Sequence, residues 1–131
     1  MASIKSFRDL EIWQRSMALV MDCYRVAEAL PHSESFGLAL QLRRSAVSIP
    51  SNIAEGHGRS ATGEYLHHLA IAHGSLMELE TQVEIASRLG YARQESVACI
   101  LEETADLGRM IHGLARNLKA RRDRATHGPE S

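Results

Sequence analysis

From Leu38 to Ile53 apolar residues return every three or four positions: Leu38, Leu42, Ala46, Ile49 and Ile53. That period puts them on one face of a helix. Polar residues keep the same step on another side, at Gln41, Arg44, Ser48, Asn52 and Glu55. A surface helix needs no ordered polar stripe, and a plain core helix does not favour an internal proline such as Pro50. The segment therefore predicts a helix with two contact surfaces. It starts after the Ser33–Ser35 cluster and ends at Gly56 and Gly58. Pro50 removes the bond to the carbonyl of Ala46, which predicts a kink there; the alternative is two helices broken near Ser48. Both stripes keep phase across Pro50, which favours the kink.

Three further helices follow from the same kind of pattern. The first is expected from about Asp9 to Leu30, with Ser6 and Asp9 as a capping signal and Pro31 as the stop. Its residues Trp13, Met17, Val20, Tyr24 and Ala27 step four-three-four-three, the spacing of a bundle seam. A second apolar line, Ile12, Leu19, Cys23, Val26 and Leu30, needs a further partner. The third helix is expected from Thr62–Gly63 to Leu89, with Gly90 as a left-handed terminator. Its heptad line, Leu66, Leu69, His73, Leu76, Glu80 and Val83, carries a histidine and a glutamate inside it. The fourth, from Arg93 to Ala120, has the seam Val97, Ile100, Thr104, Leu107, Ile111, Leu114 and Leu118. Short connections between long helices predict an all-α, antiparallel up-down-up-down four-helix bundle over residues 1–120. Residues 121–131 read as a polar, disordered C-terminal tail.

Composition agrees with one helical domain: 44% of residues are apolar but only 5% aromatic. Apolar runs are short and broken by charge, so no membrane span is expected. The opening MASIKSFRDLEIW lacks a signal-peptide core, which predicts a cytoplasmic protein. Cys23 and Cys99 both read as core thiols in that reducing compartment. A formal charge of −1 argues against a surface devoted wholly to nucleic acid. A local footprint stays open, because five of the 15 basic residues crowd into Arg116, Lys119, Arg121, Arg122 and Arg124. The competing reading of that cluster is a solvated helix end whose cations complement the dipole.

Catalytic patterns fail one by one. A di-iron bundle needs two Glu-x-x-His motifs, and Glu64–His67 is the single instance. His67, His68 and His73 read as partly exposed histidines near a loop, and no metal or other cofactor is expected. Gly58-Arg-Ser-Ala-Thr-Gly63 has P-loop glycine spacing but continues with Glu64–Tyr65 where a lysine and a hydroxyl are required. No Ser/His/Asp or Cys/His order stands out. Glu78, Glu80 and Glu84 form a carboxylate run of the kind usually solvated or paired with arginine.

Two other features point to contacts instead of chemistry. Pairing the second and third helices about Arg59–Ser60 sets Gln41 opposite Glu78 and Arg44 near Ser75. The polar line Ser75, Glu78 and Gln82 would then meet the polar stripe of the second helix, with Arg43 or Arg44 bonded to Glu78. Arg43, Arg44, Asn52, Glu55, Arg59, Glu78 and Gln82 are the candidate residues, either as a partner-binding surface or as a buried network that sets helix register. The second apolar line of the first helix exceeds what one bundle needs, which predicts self-association.

Several segments carry a family resemblance. Trp13–Gln14, Pro31, Glu34, Gln41-Leu-Arg-Arg, Ser48-Ile-Pro-Ser-Asn-Ile-Ala-Glu-Gly56 and Gly74-Ser-Leu-Met-Glu-Leu-Glu-Thr-Gln82 resemble the four-helix-bundle family of 23S ribosomal RNA intervening-sequence proteins. That family takes its name from reading frames inside inserts of bacterial 23S rRNA genes, a matter of gene location. The resemblance implies an antiparallel bundle assembled as a homopentamer. It also implies kinship with the accessory protein of diversity-generating retroelements, a markedly basic branch that associates with a reverse transcriptase and nucleic acid. The expected function is a non-catalytic homo-oligomeric scaffold that binds a macromolecular partner, with RNA or an RNA–protein complex among the candidates. The alternative is a metal-dependent four-helix-bundle enzyme.

Overall fold

A computed structural model describes residues 3–127. Four helices carry the fold: α1 (Glu11–Ala29), α2 (Leu38–His57), α3 (Thr62–Arg88) and α4 (Gln94–His127). Short 3-10 turns, Phe7–Asp9 and His32–Glu34, precede α1 and α2. Each helix packs on two neighbours, α1 on α2 and α4, α3 on α2 and α4, while the diagonal pairs stay apart. This is the expected all-α four-helix bundle. Among the described residues no helix is long and apolar enough to cross a membrane.

Local chemistry sets the ends. Ser6 and Asp9 form a complete capping box, but it caps the 3-10 turn, and α1 begins only after extended Leu10. The Glu34 side chain accepts from the Leu38 N–H at 3.1 Å, satisfying one of the donors that a helix start leaves open. α3 closes through Gly90 at φ 76°, and Tyr91 N–H returns to the Ala86 carbonyl at 2.9 Å. Only glycine takes that left-handed turn without strain. Pro50 lies buried inside α2, which continues as one helix from Leu38 to His57 instead of breaking near Ser48.

The core is built as the periodicity of α2 and α4 predicts. Leu42, Ala46, Ile49 and Ile53 are fully buried, and Val97, Ile100, Thr104, Leu107 and Ile111 meet them from α4's side of the core. In α1 the two apolar lines exchange roles. Ile12, Leu19, Cys23, Val26 and Leu30, expected to face a further partner, lie inside the bundle, with Leu19 and Cys23 at 0% exposure. Of the line expected to form the seam, Val20 and Ala27 are buried, Trp13 and Met17 are half-buried, and Tyr24 is exposed. The physical reason is Ser16, which is also buried on the inward face and donates to the Trp13 carbonyl at 2.8 Å. A small hydroxyl bonded to its own helix fits the interior, while bulky Trp13 and Tyr24 fit the rim, where their polar ends reach water.

Two smaller expectations are also corrected. Residues 121–127 continue α4 as helix, where a disordered tail was expected. Arg121, Arg122, Arg124 and Ala125 are good helix formers even in a solvated end; residues 128–131 lie outside the described part. Cys23 is buried, and that burial, with the Asp22 charge beside it, pushes its thiol up to about 12. Cys99, expected in the core as well, is exposed.

Candidate functional site

The polar stripe of α2 meets α3 in a hydrogen-bonded seam that a longer charged contact extends to Glu55. Ser75 Oγ donates to Ser48 Oγ at 2.8 Å. Asn52 Nδ2 donates to the Ser48 carbonyl at 2.8 Å and to Ser48 Oγ at 3.0 Å. With its amide nitrogen committed there, Asn52 turns Oδ1 to His68, whose Nδ1 stands 3.0 Å away. An amide oxygen only accepts, so His68 Nδ1 is the donor in this contact. The other ring nitrogen, Nε2, faces Glu55 Oε2 at 3.6 Å. Glu55 Oε2 in turn accepts from Arg59 Nη2 at 2.8 Å. The Arg59 hydrogen bond, and then the His68 charge, hold the Glu55 carboxyl below its ordinary range.

These contacts descend along α3 as they ascend along α2, from Ser48–Ser75 to Asn52–His68. The seam tightens toward the end of α2. A Cβ on Gly56 would stand 2.9 Å from Tyr65 Cδ1 and 3.0 Å from His68 Cβ, so the two backbones approach here only because residue 56 has no side chain.

Of the seven candidate residues, Asn52, Glu55 and Arg59 are brought together in this chain. The other four are not. Arg43 lies on the α1 side, its guanidinium 5.8 Å from the centre of the Tyr24 ring. Arg44 and Glu78 are both exposed, and no ion pair joins Glu78 to Arg43 or Arg44 among the described residues. Gln82 is buried with Oε1 lacking any hydrogen-bond partner among the described residues. The expected Arg–Glu78 bond is thus absent, because long side chains at an exposed edge gain more from water than from holding one geometry. Glu78→Ala is accordingly expected to change unfolding free energy by no more than about 0.5 kcal/mol, measured by urea denaturation. A loss near 3 kcal/mol would restore the buried pair.

His68 was missed as a member of the seam. The signal lay in the heptad His68, Ser75 and Gln82, three polar residues at steps of seven on one face of α3. A second set of polar contacts joins α3 to α4 through the two polar members of the α3 heptad. Thr104 Oγ1 donates to Glu80 Oε2 at 2.7 Å, and His73 Nε2 stands 3.1 Å from His112 Nε2. Across α1 and α4, Arg15 donates to Asp106 Oδ2 at 3.0 Å. That bond, with help from Arg109, keeps the Asp106 carboxyl below its usual value.

The members of the α2–α3 chain bond to one another. His68 spends Nδ1 on Asn52 and reaches neither serine hydroxyl, so these residues do not assemble a Ser–His pair. What the geometry does is set the register of α2 against α3: a slip by one residue breaks the Ser75–Ser48 and His68–Asn52 bonds that cross between the helices.

The residues of the seam lie inside a longer match. Residues 8–113 match the model of a family described as 23S rRNA-intervening sequence protein. The chain belongs to that family. As an intervening-sequence protein it has the expected fold relatives. It is similar to a crystal structure of a protein of unknown function from the S23 ribosomal protein family of Bacteroides thetaiotaomicron, with a TM-score of 0.74 at 20% identity. The match covers 79% of this chain and 97% of that one. At that identity the likeness carries the fold alone. No match was found among curated proteins.

Proposed function

We propose that this intervening-sequence protein is a non-catalytic, homo-oligomeric scaffold that presents a macromolecular partner with a repeated surface, in the cytoplasm. One observation carries the reading: apolar side chains remain exposed on two different faces after the core is complete. Met21 (48%) and Tyr24 (42%) crown α1, while Ile71 (39%) and Ile85 (43%) lie on α3 and Leu89 (54%) caps its end. Ile71 and Ile85 are two heptads apart and so share one face of that helix. Two unlike apolar faces suit a ring, in which one heterologous contact repeats until it closes. Fivefold closure rests on the family resemblance. The partner reading rests on the exposed cations Arg116, Lys119, Arg121 and Arg124 toward the end of α4. A ring would gather copies of this cluster about an axis and give a near-neutral chain a concentrated positive field for RNA phosphates. Arg44 and Arg59 are the exposed cations among the candidate residues.

Light scattering coupled to size exclusion tests the assembly. The expected mass is about five times the 14.5 kDa chain, reduced by Met21→Glu and, separately, by Ile85→Glu. A 14.5 kDa particle at micromolar concentration overturns self-association, and a dimer or tetramer overturns the ring. Capture from native cells with and without ribonuclease tests the partner. Loss of captured material after ribonuclease is expected, and capture that ribonuclease leaves unchanged sinks the RNA reading. Stoichiometric iron or manganese with turnover would favour a metal-dependent enzyme instead.

A further inference from the structure

The interface of α3 and α4 holds two histidines that the seam on the α2 side does not use. His73 Nε2 and His112 Nε2 are 3.1 Å apart, with ring centroids at 4.4 Å and planes at 62°. The same nitrogen of each ring is thus brought within reach of one small ion. In the absence of a ligand, one neutral ring can donate Nε2–H to the other. Two imidazolium rings cannot face each other in this way, since each would present a proton and a positive charge to the other. Metal coordination uses the uncharged rings, each through an unprotonated nitrogen.

The distance fits that use. Two imidazole nitrogens each about 2.0–2.1 Å from one ion, and 3.1 Å from each other, subtend roughly 100° at the metal. That angle lies between the cis angle of square or octahedral coordination and the tetrahedral angle. We propose that His73 and His112 form a two-imidazole clamp for a late first-row divalent cation such as Ni2+, Cu2+ or Zn2+, clipping α3 to α4. Imidazole donors favour these ions over Mg2+ and Ca2+, which take oxygen ligands. His112 is exposed and His73 half-buried, so the remaining positions on the ion open to water. No third His, Cys, Asp or Glu among the described residues joins the pair as a ligand. Such a clamp lacks the carboxylates of a di-iron centre, and its role is a structural or regulatory clip.

The surroundings modulate the site. The rings border a cavity of about 240 Å3 lined by Leu66, Leu69, Ile111 and Ala115, with Lys119 as its one charged side chain. The apolar wall limits competing ligands on one side, while the Lys119 cation opposes a divalent charge. Binding should weaken in acid, where protons compete with the ion for the ring nitrogens.

The experiment is calorimetric titration of tag-free full-length protein with Ni2+, and separately with Zn2+, at about pH 7.5 and again at about pH 5.5. Saturable binding of about one ion per chain is expected at the higher pH and little at the lower. His112→Ala and His73→Ala should each weaken it by more than about tenfold, because a chelate becomes a single donor. His67→Ala, on a ring outside the pair, should leave it unchanged. Circular dichroism confirms that each variant is folded. As a second readout that needs no variant, excess Ni2+ should raise the melting temperature of the parent at the higher pH only. No saturable binding by the parent overturns the clamp. Binding that survives both single substitutions, or that disappears with His67→Ala, overturns it equally.

Discussion

Leu19→Glu is expected to unfold the subunit, with no cooperative melt left at neutral pH. Leu19 is 0% exposed on the inward face of α1, among core residues that include Cys23, also at 0%. The substitution forfeits about 1.5–3 kcal/mol of apolar burial. It also places a carboxylate among groups that offer it no partner, so the side chain either stays charged at heavy cost or takes a proton. The sum exceeds about 4 kcal/mol, the range reached by few single substitutions, against a total stability of about 5–15 kcal/mol for a domain. Met21→Glu, two residues on but 48% exposed, should leave the melt of the isolated subunit nearly unchanged. Far-UV circular dichroism with thermal unfolding compares the two. A Leu19→Glu chain that melts like the parent, and differs from it only in particle mass, would return Leu19 to a subunit interface. The packing of α1 would then be wrong.

That contrast shows where the pattern of residues stops being informative. α2 and α4 each carry one dominant apolar stripe, so period alone identifies the inward face, and Leu42, Ile49, Ile53, Ile100 and Leu107 are all at 1% exposure or less. α1 carries two, and period cannot rank them. The ranking depends on size and on Ser16, a polar residue that ends in the core because its hydroxyl bonds to the Trp13 carbonyl. The polar stripe was legible on α2, through Ser48, Asn52 and Glu55, but its partners on α3 were only partly so. Short side chains meet across a close helix pair, and Ser75 and His68 do so. Arg44 and Glu78, long and at the edge, turn to water. The His73–His112 pair lay further out of reach. Its members are 39 positions apart, and their meeting depends on the register of α4 against α3, which no local spacing encodes.

Gly56→Ala is expected to destabilise the bundle although alanine is the better helix former. Alanine in place of a helical glycine should gain up to about 1 kcal/mol from propensity, less in a last turn such as that of Gly56. At residue 56 the new methyl would stand 2.9 Å from Tyr65 Cδ1, 3.0 Å from His68 Cβ and 3.3 Å from the Tyr65 carbonyl oxygen. Tyr65 could swing its ring, but the carbonyl and the His68 Cβ are fixed to the α3 backbone, so relief requires the helices to part. Overpacking of this kind costs about 1–3 kcal/mol. Separation would also stretch the Asn52–His68 contact, now 3.0 Å, and so propagate along the seam. The net expectation is a loss of about 1–2 kcal/mol, a fall in melting temperature of several degrees for a domain of this size. Gly74→Ala is the matched control, because a Cβ there meets nothing within 4 Å. It should stabilise the isolated subunit by up to about 1 kcal/mol. Opposite signs at two helical glycines therefore measure the closeness of α2 and α3 directly. A rise in melting temperature for both variants would mean that the helices stand further apart at Gly56 and that the seam is looser than its hydrogen bonds require.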